Sequence, residues 1–437
     1  MSWLIVRFNY NKEYMLDIKF IRDNKDVVAA GAKKKHIDID LDLLIALDDS
    51  RKELLRVVEE KRAQQNEATK TIASESDSEK RQEMIQQMQT LKADMQKEED
   101  ALKELMKQWQ ALMLQVPNVP DMSVPDGESD EDNVEIRTWG DKSQFSFEPK
   151  DHIDILTQLD MVDFERGSKV HGFRGYFLKN EGVELSFALW NYARDFFMKK
   201  GLNLMMPPTI VRKENFYGTG HLPNEAEDLY KTQDDEFLIG TAEVPVMGYY
   251  KDEEIDFSTL PIKLLAFSPC FRREAGSHGK DTKGLIRVHE FFKWEQVILS
   301  EASHEKTVEL HEWLTQNTEE FMQSLGIPYH VVVNCGGDLG QGQVKKYDIE
   351  AWVPKENKYR ETHSSSYFHD FQTRRFNITY RDGEGKKRFA HSLNNTAVAG
   401  PRILVSLVEN YQQADGSIQI PEVLRSYLGG REVISKR

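Results

Sequence analysis

"FRREAGSHGKDTKGLIRVHEFFKWEQ", Phe271 to Gln296, holds two strand-like flanks around a glycine- and lysine-rich loop. Strand side chains alternate between faces, so residues two apart share a side. The rule sets Arg272 beside Glu274, and on the returning flank it sets Arg287, His289, Phe291, Lys293 and Glu295 on one face. Val288, Phe292 and Trp294 take the other face, which reads as core. Ionised arginine and glutamate inside a sheet are costly unless something pairs them. One Arg–Glu pair would be explained by an internal salt bridge. So many polar groups on one face, next to "GSHGKDTKG", predict a charged ligand instead.

Three further stretches point the same way. In "GTAEVPV", Thr241 and Glu243 are two apart and share a face if extended. In "YRETHSSSYFHDFQTRR", Glu361 precedes the hydroxyl run Ser364 to Ser366, and a carboxylate beside hydroxyls suits a phosphate-bridging magnesium ion. In "LNNTAVAGPRILVSLVENYQ", Gly400 closes a strand-like segment, Pro401 suits a first helical turn and Arg402 stands at that helix start. A helix N-terminus with an arginine beside it is a natural phosphate site.

Before this region the chain has a different character. Leu44, Leu47, Leu54 and Val58 fall at a three-four spacing interrupted by Arg51, and Lys61, Gln65 and Ala68 continue it. After "TIASESDSE" the spacing resumes through Met84, Met88, Leu91, Met95, Glu98, Leu102, Leu105, Trp109 and Leu112. Two amphipathic helices joined by a polar turn predict an antiparallel coiled-coil arm. About 27 to 30 residues per helix give a length of roughly 40 to 45 Å. On the first helix at least, the seam is apolar near the body and polar toward the tip. Asp48 to Lys70 holds six basic and six acidic residues, and Glu79 to Lys107 six and seven, so charge alone gives the arm no grip on RNA. "VPNVPDMSVPDGESDEDN", with its prolines and acidic run, reads as a linker. The boundaries expected are an N-terminal extension 1–14, an arm 15–116, a linker 117–140 and a catalytic domain 141–437. The fold class expected is α+β: an antiparallel sheet flanked by helices, preceded by the helical arm.

The whole chain sets outer limits. Its 437 residues suffice for two or three domains with a large core. A net charge of -15 excludes indiscriminate coating of nucleic acid, which needs a basic surplus. No stretch approaches the roughly 18 to 20 apolar residues of a membrane span, and "MSWLIVRFNY" is too short an apolar run for a signal peptide. Two cysteines, Cys270 and Cys335, argue for a reducing compartment, so a cytoplasmic location is expected.

Taken together, these stretches resemble the seryl-tRNA synthetase family of class II aminoacyl-tRNA synthetases. "GVELSFALWNYARDFFMKKGLNLMMPP", "PCFRREAGSHGKDTKGLIRVHEFFKWEQ" and "NNTAVAGPRILVSLVENYQQADGSIQIPEVLRSYLGG" resemble the three class II motifs. "GTGHLP", "GTAEVPV", "KKYDIEAWVP", "DFQTRR", the arm and "PNVP" add matches from Met15 to the end.

The resemblance implies ATP, L-serine and tRNA(Ser) as substrates, Mg2+ as cofactor, a homodimer built on the first motif, and no membrane. Where a selenocysteine tRNA exists, tRNA(Sec) is a further partner. Arg272 and Arg402 are implied as catalytic, Arg272 gripping the α-phosphate and the serine carboxylate and steadying charge as that carboxylate attacks phosphorus, Arg402 lying near the γ-phosphate. Serine is implied to lie among Thr241, Ala242, Glu243, Arg272, Glu295 and Thr396. A site that bonds a substrate hydroxyl rejects alanine, which leaves its groups unpaired. The nucleotide site takes Arg272, Arg273, Glu274, Val288, Phe291, Glu361, Thr362, His363, Ser364 and Arg402, with Glu361 and Ser364 on the metal. Phe291 and Arg402 are implied to sandwich the adenine, and Glu274 to accept from its amino group.

Two rivals weigh less. A paralogue loading carrier proteins lacks the long arm, and a non-catalytic scaffold has no need of Arg272, Glu274, Glu295 and Arg402 together. "NCGGDLGQG" lacks the lysine and context of a nucleotide loop and reads as a turn near the site. His363, His369 and His391 with Cys335 match no recognised zinc spacing.

Overall fold

The structure is a computed structural model that describes residues 17–276, 279 and 281–436. The expected extension 1–14 lies outside the described residues, as do Ser277, His278 and Lys280 of the loop quoted above. The chain forms two compact units. One holds Ile37–Pro117 with the described residues up to Lys33, and the other holds Lys34–His36 and the chain from Asn118 onward.

The first unit is the arm. Helix α1 (Leu41–Ser74) and helix α2 (Ser78–Gln115) run 34 and 38 residues, about 51 and 57 Å at helical rise, longer than expected. The turn shrinks to Glu75–Asp77, because the Asp77 carboxylate caps α2 by accepting from the backbone N–H groups of Glu79 and Lys80. Leu41, Leu44 and Val58 of α1 and Met106, Trp109 and Met113 of α2 are buried. Farther out, the cross-helix ion pairs Lys61–Glu98 (3.3 Å) and Arg62–Glu99 (2.7 Å) take over. Arg51, which interrupts the apolar spacing, pairs with buried Asp48 at 2.8 Å and lies 4.8 Å from the centre of the Trp109 ring. Arg22 and Lys52 also hold that carboxylate, at 3.0 and 2.6 Å. Burial pushes the Asp48 carboxyl up, but hydrogen bonds from Lys52, Arg51 and Arg22 leave it below its ordinary range.

The second unit is built on a sheet of eight strands among the described residues: β1 (Val134–Trp139), β2 (Asn203–Met205), β3 (Ile262–Phe271), β4 (Glu290–Ser300), β5 (Tyr329–Val333), β6 (Lys345–Val353), β7 (Lys358–His369) and β8 (His391–Ala399). Their order is β1-β5-β6-β7-β8-β4-β3-β2, antiparallel except for the β2–β3 edge pair. The stretch expected as a linker is a different thing here. Its end is edge strand β1, and its proline-rich part is bonded to the second unit through Asn118 N–H to Gln341 O (2.9 Å) and Asp121 N–H to Val344 O (2.9 Å). Prolines exclude helix and central strand, but they leave the intervening amides free to pair along a neighbouring loop.

Helices α3 (Asn180–Lys199), α4 (Glu243–Tyr249), α5 (His304–Ser324) and α6 (Gly400–Asn410) complete the frame. Leu185, Leu189 and Phe197 of α3 and Ile403, Leu404 and Leu407 of α6 share one apolar core with Val331, Ile349 and Val398 of the sheet. Helix α5 covers a polar seam. Gln296 donates to Asn395 at 2.5 Å, Thr318 donates to the same amide oxygen at 2.6 Å, and Thr315 donates to Ser365 at 2.9 Å. Full satisfaction lets these polar side chains stay buried, and burial pushes the neighbouring His311 down to about 4. Gln296, Asn395 and Ser365 thus back onto α5, while their sequence neighbours Glu295, Thr396 and Ser364 face the other way.

Candidate active site

That opposite side is a cavity of about 410 Å³. Of the residues expected to form the site, Thr241, Glu243, Arg272, Glu274, Val288, Phe291, Glu295, Glu361, Thr362, Ser364, Thr396 and Arg402 line it. The strands deliver them by alternation with two interruptions. On β4, Phe291, Lys293 and Glu295 come forward together. On β7 the register slips between Ile349–His363 and Glu350–Glu361, leaving Thr362 as an extra residue. That bulge resets the parity, so Glu361 and Ser364, three apart, reach the same cavity. On β8 a slip between Thr396 and Val398 does the same for Thr396 and Ala399.

The closed end is a charged cluster. Thr396 lies opposite Glu295 in the ladder, with its hydroxyl 3.4 Å from that carboxylate. Lys293 pairs with Glu295 and donates to the Thr241 hydroxyl at 2.8 Å. Glu243 accepts from Gln372 at 2.5 Å, and Gln372 in turn accepts from Ser392 at 2.7 Å. Burial raises the Glu295 carboxyl and Lys293 opposes that rise. Thr241 and Glu243 are not on a strand: Glu243 opens helix α4, Thr241 lies two residues before it, and both line the cavity.

The middle and the mouth carry cations. Arg272 donates to Gly240 O at 3.3 Å, and its guanidinium lies 5.5 Å from the centre of the Phe291 ring. Arg402, in the first turn of α6 next to Pro401, pairs with Glu361 at 3.1 Å and donates to Ile286 O at 3.2 Å. Burial pushes the Glu361 carboxyl up, yet Arg402, Lys346 and Arg272 together hold it well below the carboxylate range. Glu274 accepts from Arg287 at 2.6 Å. The loop end is tied by Asp281, which pairs with Arg287 at 3.5 Å and with Arg360.

The local geometry departs from several expectations. Strand β3 ends at Phe271 and β4 begins at Glu290, so alternation does not reach Arg272, Glu274, Arg287 or His289. Glu274 arrives through a left-handed backbone, φ 56°. His289 turns away from the cavity, its ring 5.5 Å from that of His171. Ala242 packs in an apolar cluster with Val246, Met247 and Leu264 rather than on the cavity wall. Arg273 is used outside, donating to Glu227 O at 3.1 Å. His363, on the bulge, is buried with Nδ1 2.8 Å from the Thr362 hydroxyl, and burial pushes it down to about 3.

Two lysines lay beyond the sequence reading of the site. Alternation had put Lys293 on the right face without a role. Lys346, on β6, lines the cavity and pairs with buried Asp348 at 3.0 Å. The carboxylates Asp348, Glu361 and Asp338 outweigh its burial and keep it charged. Only the strand pairing of β6 against β7 could have placed it.

Comparison with known proteins agrees with this architecture. Residues 229–411 match the tRNA synthetase class II core domain (G, H, P, S and T), and residues 15–120 match the seryl-tRNA synthetase N-terminal domain. The chain is 44% identical over 423 residues to a serine–tRNA ligase of Deinococcus radiodurans, covering 97% of this chain and 99% of that one. It is also 44% identical to one from Thermodesulfovibrio yellowstonii, covering 95% and 99%. Among solved structures it is similar to seryl-tRNA synthetase from Pyrococcus horikoshii complexed with ATP, with a TM-score of 0.86, 37% identity and coverage of 97% and 100%.

Proposed function

The chain belongs to the seryl-tRNA synthetase family, and on that footing we propose that it activates L-serine with ATP and transfers it to tRNA(Ser). The observation that carries the reading is the single cavity joining a hydroxyl–carboxylate cluster, Thr241, Glu243, Glu295 and Thr396, to the arginines Arg272 and Arg402. The cluster suits a small ligand bearing an ammonium and a hydroxyl. The arginines suit a carboxylate next to a polyphosphate.

The serine carboxylate attacks the α-phosphorus, the bond to the pyrophosphate breaks, and seryl-adenylate remains. The terminal ribose hydroxyl of the tRNA then attacks the seryl carbonyl, and AMP leaves. The first step needs no base, because the nucleophile is already ionised. It needs alignment and stabilisation of the crowded negative charge. In this reading Arg272 takes that charge, a role supported by its guanidinium lining the cavity next to the Phe291 ring, which stacks on adenine. Arg402 takes the other adenine face and the far phosphates, and Glu274 the base.

Glu361 and Ser364 would hold a magnesium ion, one ionised carboxylate and one hydroxyl lining the same cavity. When bound, it would neutralise phosphate charge.

The reading includes a homodimer in the cytoplasm. Phe187 of α3 is 56% exposed and meets Trp190 edge-on, and Trp190 lines a cleft with exposed Phe177 and Phe292. An apolar patch of this kind favours burial against a second copy. The arm reads the tRNA by shape, as RNA duplexes commonly are, and tRNA(Sec) is served where one exists. ATP–pyrophosphate exchange across the twenty amino acids, followed by charging of total tRNA, tests the reading. Serine-dependent exchange is expected, and exchange with alanine or glycine instead would remove the assignment.

A further inference from the structure

The stretch Asn334–Gly342 has no part in the reaction above, yet it ends in a wall of the cavity. Gly340, Gln341, Gly342 and Gln343 all line it. Gln343 folds that wall onto the sheet: its Oε1 accepts from Gly340 N–H at 2.7 Å, and its Nε2 donates to the Ser366 hydroxyl at 2.9 Å. Ser366 pairs across the ladder with Asn394, two residues before Thr396. The wall therefore stands at the serine end of the cavity.

What holds it is a lysine from far away in the sequence. The Lys35 ammonium donates to Gly340 O at 3.1 Å, Gln341 O at 2.9 Å and Gln343 O at 2.5 Å. Three carbonyls thus meet the three N–H bonds of one ammonium. Asn118 adds a bond from its side chain to Gly342 O at 3.1 Å. Lys35 is 4% exposed, and burial pushes its ammonium well below the ordinary lysine range. Such a group is costly to bury. A methionine would fill the same space without that cost, so the donors themselves are what the position requires. The glycines before the wall allow the approach: a side chain on Gly336 would start 2.2 Å from Lys34 O.

We propose that Lys35 is a positioning residue for serine activation, gathering the carbonyls of residues 340, 341 and 343 so that Gln343 and Ser366 are fixed at the serine end of the cavity. This rests on the function proposed above.

The test compares Lys35→Met and Lys35→Arg in the full-length protein by ATP–pyrophosphate exchange, with hydrogen–deuterium exchange of the peptide spanning 336–344 in parallel. Lys35→Met should raise KM for serine about ten-fold, with KM for ATP and kcat within about two-fold. Its 340 and 343 amides should exchange faster, and Lys35→Arg should recover most of both effects. A lower melting temperature with an unchanged serine KM and unchanged amide protection would overturn the proposal. Should Lys35→Met not fold, Asn118→Ala loosens the same wall and must show the same KM split, or the proposal fails. Should the wild-type enzyme prefer another amino acid, the functional reading fails separately, and KM for that amino acid with the amide protection decides this one.

Discussion

Lys293 pairs with Glu295 two positions along the same strand, and both side chains end in the closed part of the cavity within reach of Thr241 and Thr396. The pair makes a buried carboxylate tenable where a substrate ammonium is to bind. Burial alone favours the neutral acid, and Lys293 supplies the opposing charge. Lys293→Met should therefore raise the Glu295 pKa further. Serine KM should increase roughly ten- to hundred-fold, and the defect should deepen as pH falls, because the ionised form is the one that binds ammonium and the raised pKa is crossed sooner. Steady-state kinetics as a function of pH check both statements.

Arg272 is expected to act on the chemical step. Arg272→Lys keeps a charge but loses the planar fork and its place over Phe291. Exchange should fall by about 100- to 1000-fold in kcat, with the melting temperature close to wild type. A change confined to KM would assign Arg272 to binding alone.

The arm should be separable from activation. Deleting residues 48 to 108 should spare serine-dependent exchange and abolish tRNA charging. Charging that survives would leave the arm as a spacer.

Asp48 should make the arm acid-sensitive. Its folded pKa is depressed by Lys52, Arg51 and Arg22, so its contribution is present above the unfolded value and is lost as pH falls through the folded one. Helical circular dichroism of the arm should decline below about pH 4, and Asp48→Asn should flatten that decline while lowering stability at neutral pH.

These expectations also mark what the sequence could show. The arm was legible because its apolar spacing continues through both helices, and Arg51 broke the pattern only because it serves Asp48 and Trp109. Phe291, Lys293 and Glu295 were legible because β4 is regular there. Glu361 and Ser364 were expected together from their closeness in sequence and from the resemblance, but strand alternation alone would part residues three apart, and the bulge at Thr362 is what brings both to one side. Glu274 depends on a left-handed turn that alternation cannot anticipate. The acidic, proline-rich stretch after the arm read as a free linker because composition does not report the loop at 334–344 to which its amides bond.

The most direct test of the account is a crystal structure of the protein with a non-hydrolysable seryl-adenylate analogue. The account predicts the seryl ammonium and hydroxyl among Thr241, Glu243, Glu295 and Thr396, the phosphate on Arg272, and Phe291 and Arg402 on either face of the adenine. An analogue bound elsewhere, or in this cavity with Arg402 still paired to Glu361 and Arg272 untouched, would contradict it.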